Sequence, residues 1–285
     1  MLAVGAGLVP ALIWGIMPVI LHYIKGSAFE QLLGTTLGTL IMATLLFMWQ
    51  RPVIDAATLV LAALSGLAWS VGQVGQYWSY QQLGVSKAFP ISTGLQIVGN
   101  SLIGGLGLHE WATGAAIGKG VIGVAIIIIG ILVGNLILKS TTQAAKSQLK
   151  AYIVLILTTI GYWGYSFFPK LIVHENPVAA MLPQALGMVI MALILIKLLR
   201  TQPRLNGYRI KLNTLGGLLF GVAAMAYLVS VTLNGMVNAF LLSQLNMVIA
   251  TLLGVYLLKE PRQVSWWRLY TGLALIIIGG GVIVL

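Results

Sequence analysis

The sequence predicts an all-α membrane protein of ten transmembrane helices, arranged as two inverted five-helix repeats. Three observations lead there. Hydrophobic residues make up 59% of the 285-residue chain and charged residues only 7%, against roughly 25% charged in soluble domains. Ten apolar runs approach the ~20 residues that cross a hydrocarbon core about 30 Å thick. Finally, the second half repeats the first. LGTLIMATL (37–45) returns as LGMVIMALI (186–194), GVAIIIIG (123–130) returns as GLALIIIG (272–279), and Trp14-Gly15 returns as Trp163-Gly164. The frame Gly84, Ala88, Phe89, Ser92 returns as Gly235, Ala239, Phe240, Ser243. Five crossings per copy is an odd number, so the second copy must enter the membrane from the opposite side, as in alternating-access carriers.

Taken in order, the runs cover approximately 2–24, 30–49, 58–80, 85–107 and 115–138, then 151–173, 178–199, 212–233, 236–258 and 265–285. The first is unbroken and has no basic leader; it exceeds the 7–15 residues of a signal-peptide core and reads as a retained span. Residues 1–138 form the first repeat and 151–285 the second. Between them, 139–150 (KSTTQAAKSQLK) has the composition of a solvated linker. Other connections are short, so neighbouring helices are expected to be antiparallel. With no cysteine in the chain, disulfides and thiolate metal sites are excluded.

The net charge of +11 is distributed unevenly. If the crossings alternate, Arg51, Lys119 and Lys170 fall on one side and the other thirteen Lys and Arg on the opposite one. Basic loops mark the cytoplasm. The linker is therefore expected inside and both termini outside, with the charge serving topology and not a nucleic-acid partner. The basic stretch 197–211 is also placed to meet anionic lipid headgroups of the bilayer.

No Asp, Glu, Lys or Arg lies mid-span; Glu30, Asp55, Glu110, Glu175 and Glu260 all fall at ends or loops. Intramembrane charges usually mark ion or proton relays, and a cation exporter would be expected to carry one. Amides, hydroxyls and indoles occupy the middle instead. Trp69, Gln73, Gln76 and Tyr80 share one face of the third span, and Ser92, Gln96 and Asn100 share one face of the fourth. The second repeat supplies Trp163 beside Tyr162, Gln184 after Pro183, and Ser243, Gln244 and Asn246. A buried amide without a partner costs several kcal/mol, roughly 4–8 on the harshest scale. Such residues must bond one another or face a wet cavity. Amides that both donate and accept, beside indole faces, suit a neutral polyhydroxylated solute.

The substrate ligands expected are thus Trp69, Gln73, Gln76, Ser92, Gln96, Trp163, Gln184, Ser243, Gln244 and Asn246. Pro90, one turn into the fourth span, loosens the helix there, and with Gly94 it forms the expected hinge. His22 and His109 read as interfacial side chains near helix ends. No zinc-protease, nucleotide-binding or serine-hydrolase motif is present, so neither catalysis nor ATP-driven transport is expected, and no cofactor.

The stretches GLAWSVGQ (66–73), GVSKAFPISTGLQ (84–96) and HEW (109–111) resemble the bacterial glucose/ribose uptake family of the drug/metabolite transporter superfamily. In the second half GYWGYSFFP (161–169), LPQALGMVI (182–190) and LLSQLNMVIATLLGVYLLKE (241–260) resemble it in the same register. The resemblance implies a ten-helix inward sugar carrier of the bacterial plasma membrane, coupled to protons. Proton coupling needs a titratable group; Glu110 and Glu260, which close the fourth and ninth spans, are the candidates beside a plain helix-anchoring role. A metabolite exporter of the same superfamily and a non-transporting membrane sensor subunit are the competing readings.

Overall fold

A computed structural model describes residues 2–135, 142–172, 177–199, 205–260 and 264–284. It is all-helical: α1 (Leu2–Ile24), α2 (Ala28–Gln50), α3 (Ala56–Leu83), α4 (Val85–Leu102), α5 (Gly114–Asn135), α6 (Thr142–Lys170), α7 (Pro177–Leu198), α8 (Gly207–Ser243), α9 (Asn246–Tyr256) and α10 (Trp266–Val284). A π-helical turn, Ile103–Gly107, extends α4. Among the described residues, eight helices are long and apolar enough to cross a membrane; the polar α4 and the 11-residue α9 are not.

The helix ends follow from local chemistry. Ser27 and Glu30 form a reciprocal capping box on α2, with Ser27 N donating to Glu30 Oε2 (2.7 Å) and Glu30 N donating to Ser27 Oγ (3.3 Å). Asp55 caps α3 by accepting from Thr58 N at 2.7 Å. At the same end of the bundle as that α2 box, the loops are tied together. Glu30 Oε1 accepts from Asn206 N (2.6 Å), and Asn213 Nδ2 and Gln81 Nε2 donate to Lys25 O (3.1 Å) and Gly26 O (3.0 Å). This end carries Lys25, Lys87, Lys150, Arg209, Lys211 and Lys259.

The main packing pairs join the two halves: α3 against α6 and α7, α8 against α1 and α2, α5 against α10, and α4 against α9. Glycine sets their closeness. A methyl group at Gly123 would lie 2.7 Å from Gly279 O, and one at Gly279 the same distance from Gly123 O. Gly130 and Gly272 block each other likewise, at 2.8 Å. Contacts in this reversed order mean that α5 and α10 cross antiparallel. Elsewhere a side chain at Gly38 would strike Thr214 O, and one at Gly187 would strike Ala63 O. Without a hydrophobic force between helices in lipid, such backbone-to-backbone approach is what holds them.

Two boundaries depart from the sequence expectation. The ninth span, expected over 236–258, is only α9, because α8 continues through Gly235 and the chain turns at Gln244–Leu245. In lipid no water competes for backbone groups, so a helix tolerates glycine that would punctuate it in solution. The neighbouring Asn234 donates to Ser230 Oγ (3.0 Å) within the same helix and forms no turn. Likewise α6 begins at Thr142, inside the stretch read as linker; its Gln, Ala, Lys and Leu are good helix formers. Lys139, Glu175, Arg200, Arg204 and Arg262 lie outside the described residues.

Candidate functional site

The polar face of α3 is buried where the two halves meet. Trp69 is packed among Leu21, Leu32 and Met188, with its ring 5.1 Å from that of Phe220. One turn on, Gln73 Nε2 donates to Gln76 Oε1 (3.1 Å). Tyr162 of α6 brings its hydroxyl within 2.8 Å of Gln73 Oε1 and 2.7 Å of Gln76 Oε1. Its one proton serves either acceptor in turn, and all three residues are buried. The ring of Tyr162 fits because position 72 is glycine; a Cβ there would lie 2.8 Å from it.

The remaining expected ligands are distributed around this cluster. On α4, Gln96 Nε2 donates to the buried Ser92 Oγ (3.1 Å), and Asn100 Nδ2 donates to Ser166 Oγ (3.0 Å). Trp163 lays its indole into the space left by Gly99 and donates Nε1–H to Leu95 O (3.0 Å). Gln184 sits on the α3·α7 seam, donating to Ser65 Oγ (2.8 Å), which in turn donates to Tyr165 O (2.7 Å). Gln244 Nε2 donates to the buried Ser243 Oγ (3.4 Å). Among the described residues, Trp14 Nε1, Asn100 Oδ1 and Asn246 Oδ1 are buried with no hydrogen-bond partner. The two residues expected as a hinge sit in an unbroken stretch: α4 runs helical through Pro90 and Gly94, and Gly94 packs on Ile127 and Ile131.

A cavity of about 480 Å³ opens at the basic end, within the roughly 300–1,000 Å³ of small-molecule sites. His22, Gln31, Tyr80, Gln81, Gln82, Lys87, Gln148 and Glu260 supply its polar lining. None of the ten expected ligands reaches it. Tyr80 links the two places, because it follows Gln76 by one turn of α3 and lines the cavity, where it stacks on Phe89 (6.1 Å between ring centroids, 7° between planes). By sequence His22 is an interfacial side chain, and nothing there distinguishes Gln31 or Gln81. Their only signal was proximity to helix ends that the fold gathers together.

The two candidate carboxylates behave differently. Glu260 accepts from the backbone of α4, Oε1 from Val85 N (2.6 Å) and Oε2 from Ser86 N (2.8 Å). Glu110, at the opposite end, forms an exposed 2.7 Å ion pair with Lys170.

Residues 6–285 match the profile of the family described as sugar transport protein. The chain belongs to this sugar transport family. Among its relatives, a protein of Lactiplantibacillus plantarum provisionally named for sugar uptake is 39% identical over 278 residues, 95% of each chain. The glucose uptake protein GlcU of Bacillus subtilis is 37% identical, covering 90% of this chain and 88% of its own. A protein of Latilactobacillus sakei provisionally named for ribose uptake, RbsU, is 33% identical over 97% and 96%. One crystal structure, 14% identical in sequence, superposes on 98% of this chain and 97% of its own with a TM-score of 0.62, a likeness of fold. These relatives are named for transport and not for a reaction. This sugar transport family member is a multi-pass membrane protein and not an enzyme.

Proposed function

We propose that this protein takes up a neutral monosaccharide, glucose or ribose, across a bacterial plasma membrane by alternating access of two inverted repeats, in symport with protons. The observation that carries the reading is the uncharged cluster Gln73–Gln76–Tyr162, buried between the halves one turn from the polar cavity. Its groups match a sugar's own, donor for acceptor. The sugar would exchange the bonds these residues make with one another for bonds to itself. Trp69, Ser92, Gln96, Trp163, Gln184, Ser243, Gln244 and Asn246 complete the proposed path, and the unpartnered Trp14 Nε1 and Asn246 Oδ1 are further donor and acceptor.

The inverted arrangement is supported by the reciprocal pairing of helices, α3 on α6 and α7 as α8 on α1 and α2. The antiparallel α5·α10 crossing between equivalent segments supports it further. The basic end faces the cytoplasm by its charge, placing both termini outside. The cavity would then be the inner vestibule of an inward-facing state. Glu260, beside that vestibule, is the preferred proton carrier, since protonation would weaken its hold on α4; Glu110 is the alternative.

Radiolabelled glucose and ribose uptake into proteoliposomes, with and without an inward proton gradient, tests substrate and coupling together. Saturable uptake of either sugar, accelerated by the gradient, is expected; no uptake of either rejects the proposal. Gln96→Ala should abolish uptake at normal membrane levels, and normal transport by that variant removes α4 from the path.

A further inference from the structure

Glu260 and Glu110 occupy the same turn in the two repeats. Each follows a residue in the left-handed region, Lys259 at φ 54° and His109 at φ 56°. Each donates its own backbone N–H to a glycine carbonyl six residues back, Glu260 to Gly254 O (3.2 Å) and Glu110 to Gly104 O (3.1 Å). In each case the carboxylate crowds that glycine; a Cβ would lie 2.9 Å from Glu260 Oε2 at Gly254 and 2.7 Å from Glu110 Oε2 at Gly104. The local geometry is one motif used twice.

The partners differ. Glu260 reaches into the other half and clasps two backbone N–H groups of the first turn of α4. Those groups have no intrahelical acceptor, and a carboxylate there also meets the positive end of the helix dipole. α4 has no side-chain cap of its own; its N-cap is Gly84, at φ 85°, and a Cβ at that position would lie 2.8 Å from the Glu260 carboxyl. At the equivalent of Gly84 in the second repeat, Gly235, α8 is unbroken. Its amides are spent on carbonyls four residues back, and Glu110 pairs with Lys170 instead.

We propose that the two glutamates are reciprocal latches, positioning residues used one per transport state. Glu260 holds the state with the basic-end cavity open, by fixing the break at Gly84. In the opposite state Glu260 lets go, α8 breaks at Gly235, and Glu110 leaves Lys170 to clasp the new helix start. This rests on the inverted-repeat carrier proposed above, yet its test needs no sugar.

The chain has no native cysteine, so Gln82→Cys at the cavity wall reports how often the basic end is open, through its rate of labelling by an impermeant thiol reagent added on that side. Adding Glu260→Gln should slow labelling by roughly three- to thirtyfold, the worth of a helix cap. Val85→Pro should do the same with Glu260 intact. It deletes one of the two clasped N–H groups at the first helical position, where proline is well tolerated, and it carries the test if the Glu260 variant does not insert. Placing Glu110→Gln on top of Glu260→Gln should restore the rate, because the competing state loses its own latch. Rates within twofold of the parent for Glu260→Gln or Val85→Pro, or further slowing by Glu110→Gln, overturn the proposal. A protein with this labelling pattern but no glucose or ribose uptake rejects the carrier reading alone; normal uptake without the pattern rejects the latches alone.

Discussion

The junction after α3 and its counterpart in α8 start from the same sequence frame and reach opposite outcomes. At Gly84 the chain turns sharply at φ 85°, and α4 begins afresh under the carboxylate of Glu260. At Gly235 α8 runs on to Ser243. The same contrast recurs in the indoles: Trp163 donates to Leu95 O (3.0 Å), while the Nε1 of the equivalent, half-buried Trp14, beside α9, is out of solvent with no partner among the described residues. A glycine within a repeated frame permits a break without dictating one; a capping partner from the other half decides which copy breaks.

Four measurements put this contrast at risk. The largest effect is expected at the two glycines. Gly84→Ala should cut sugar uptake by more than tenfold, because φ 85° with ψ 159° is open almost only to glycine, a side chain there costing about 1–3 kcal/mol, and this Cβ would also press on Glu260. Gly235→Ala sits inside a helix and should raise thermal stability by about 0.5–1 kcal/mol. Equal responses in a detergent melting assay would erase the distinction between the junctions. Next, Tyr162→Phe removes the hydroxyl shared by Gln73 and Gln76. With about 1–3 kcal/mol for a buried polar group left unpaired, KM for sugar should rise several-fold to a hundredfold in uptake curves.

The indole pair should give a smaller split. Trp163→Phe loses a hydrogen bond worth about 1 kcal/mol, whereas Trp14→Phe discards a donor that had no partner and should melt no lower than the parent. The smallest effect belongs to Lys170→Ala. Its ion pair with Glu110 is exposed, such pairs contribute about 0–1 kcal/mol, and the melting temperature should move little and less still at high salt.

Much of this architecture was legible in the sequence because membrane helices are set by local composition. The boundaries of α1, α3, α5 and α7 lie within a few residues of the apolar runs that predict them. The misplaced start of the ninth span has a non-local cause. Extending the pattern of Gly84 to Gly235 assumed that equivalent residues share a conformation, but the Glu260 carboxylate that fixes the first is 175 residues away in the chain. Helical spacing brought Gln73 and Gln76 onto one face, yet it carried no information about Tyr162, whose hydroxyl binds them across the α3·α6 interface. The cavity lining was hardest to foresee. His22, Gln31 and Gln81 lie near the ends of three helices, where polar residues are ordinary, and only the bundling of those ends makes them one wall.

Glycines join α5 to α10. Gly123 meets Gly279 and Gly130 meets Gly272, and each of these contacts is the other with the halves exchanged. A face that recognises its own duplicate when turned end over end is isologous. Two separate copies of such a face, one turned end over end against the other, would meet through the same glycine contacts with no peptide bond between them.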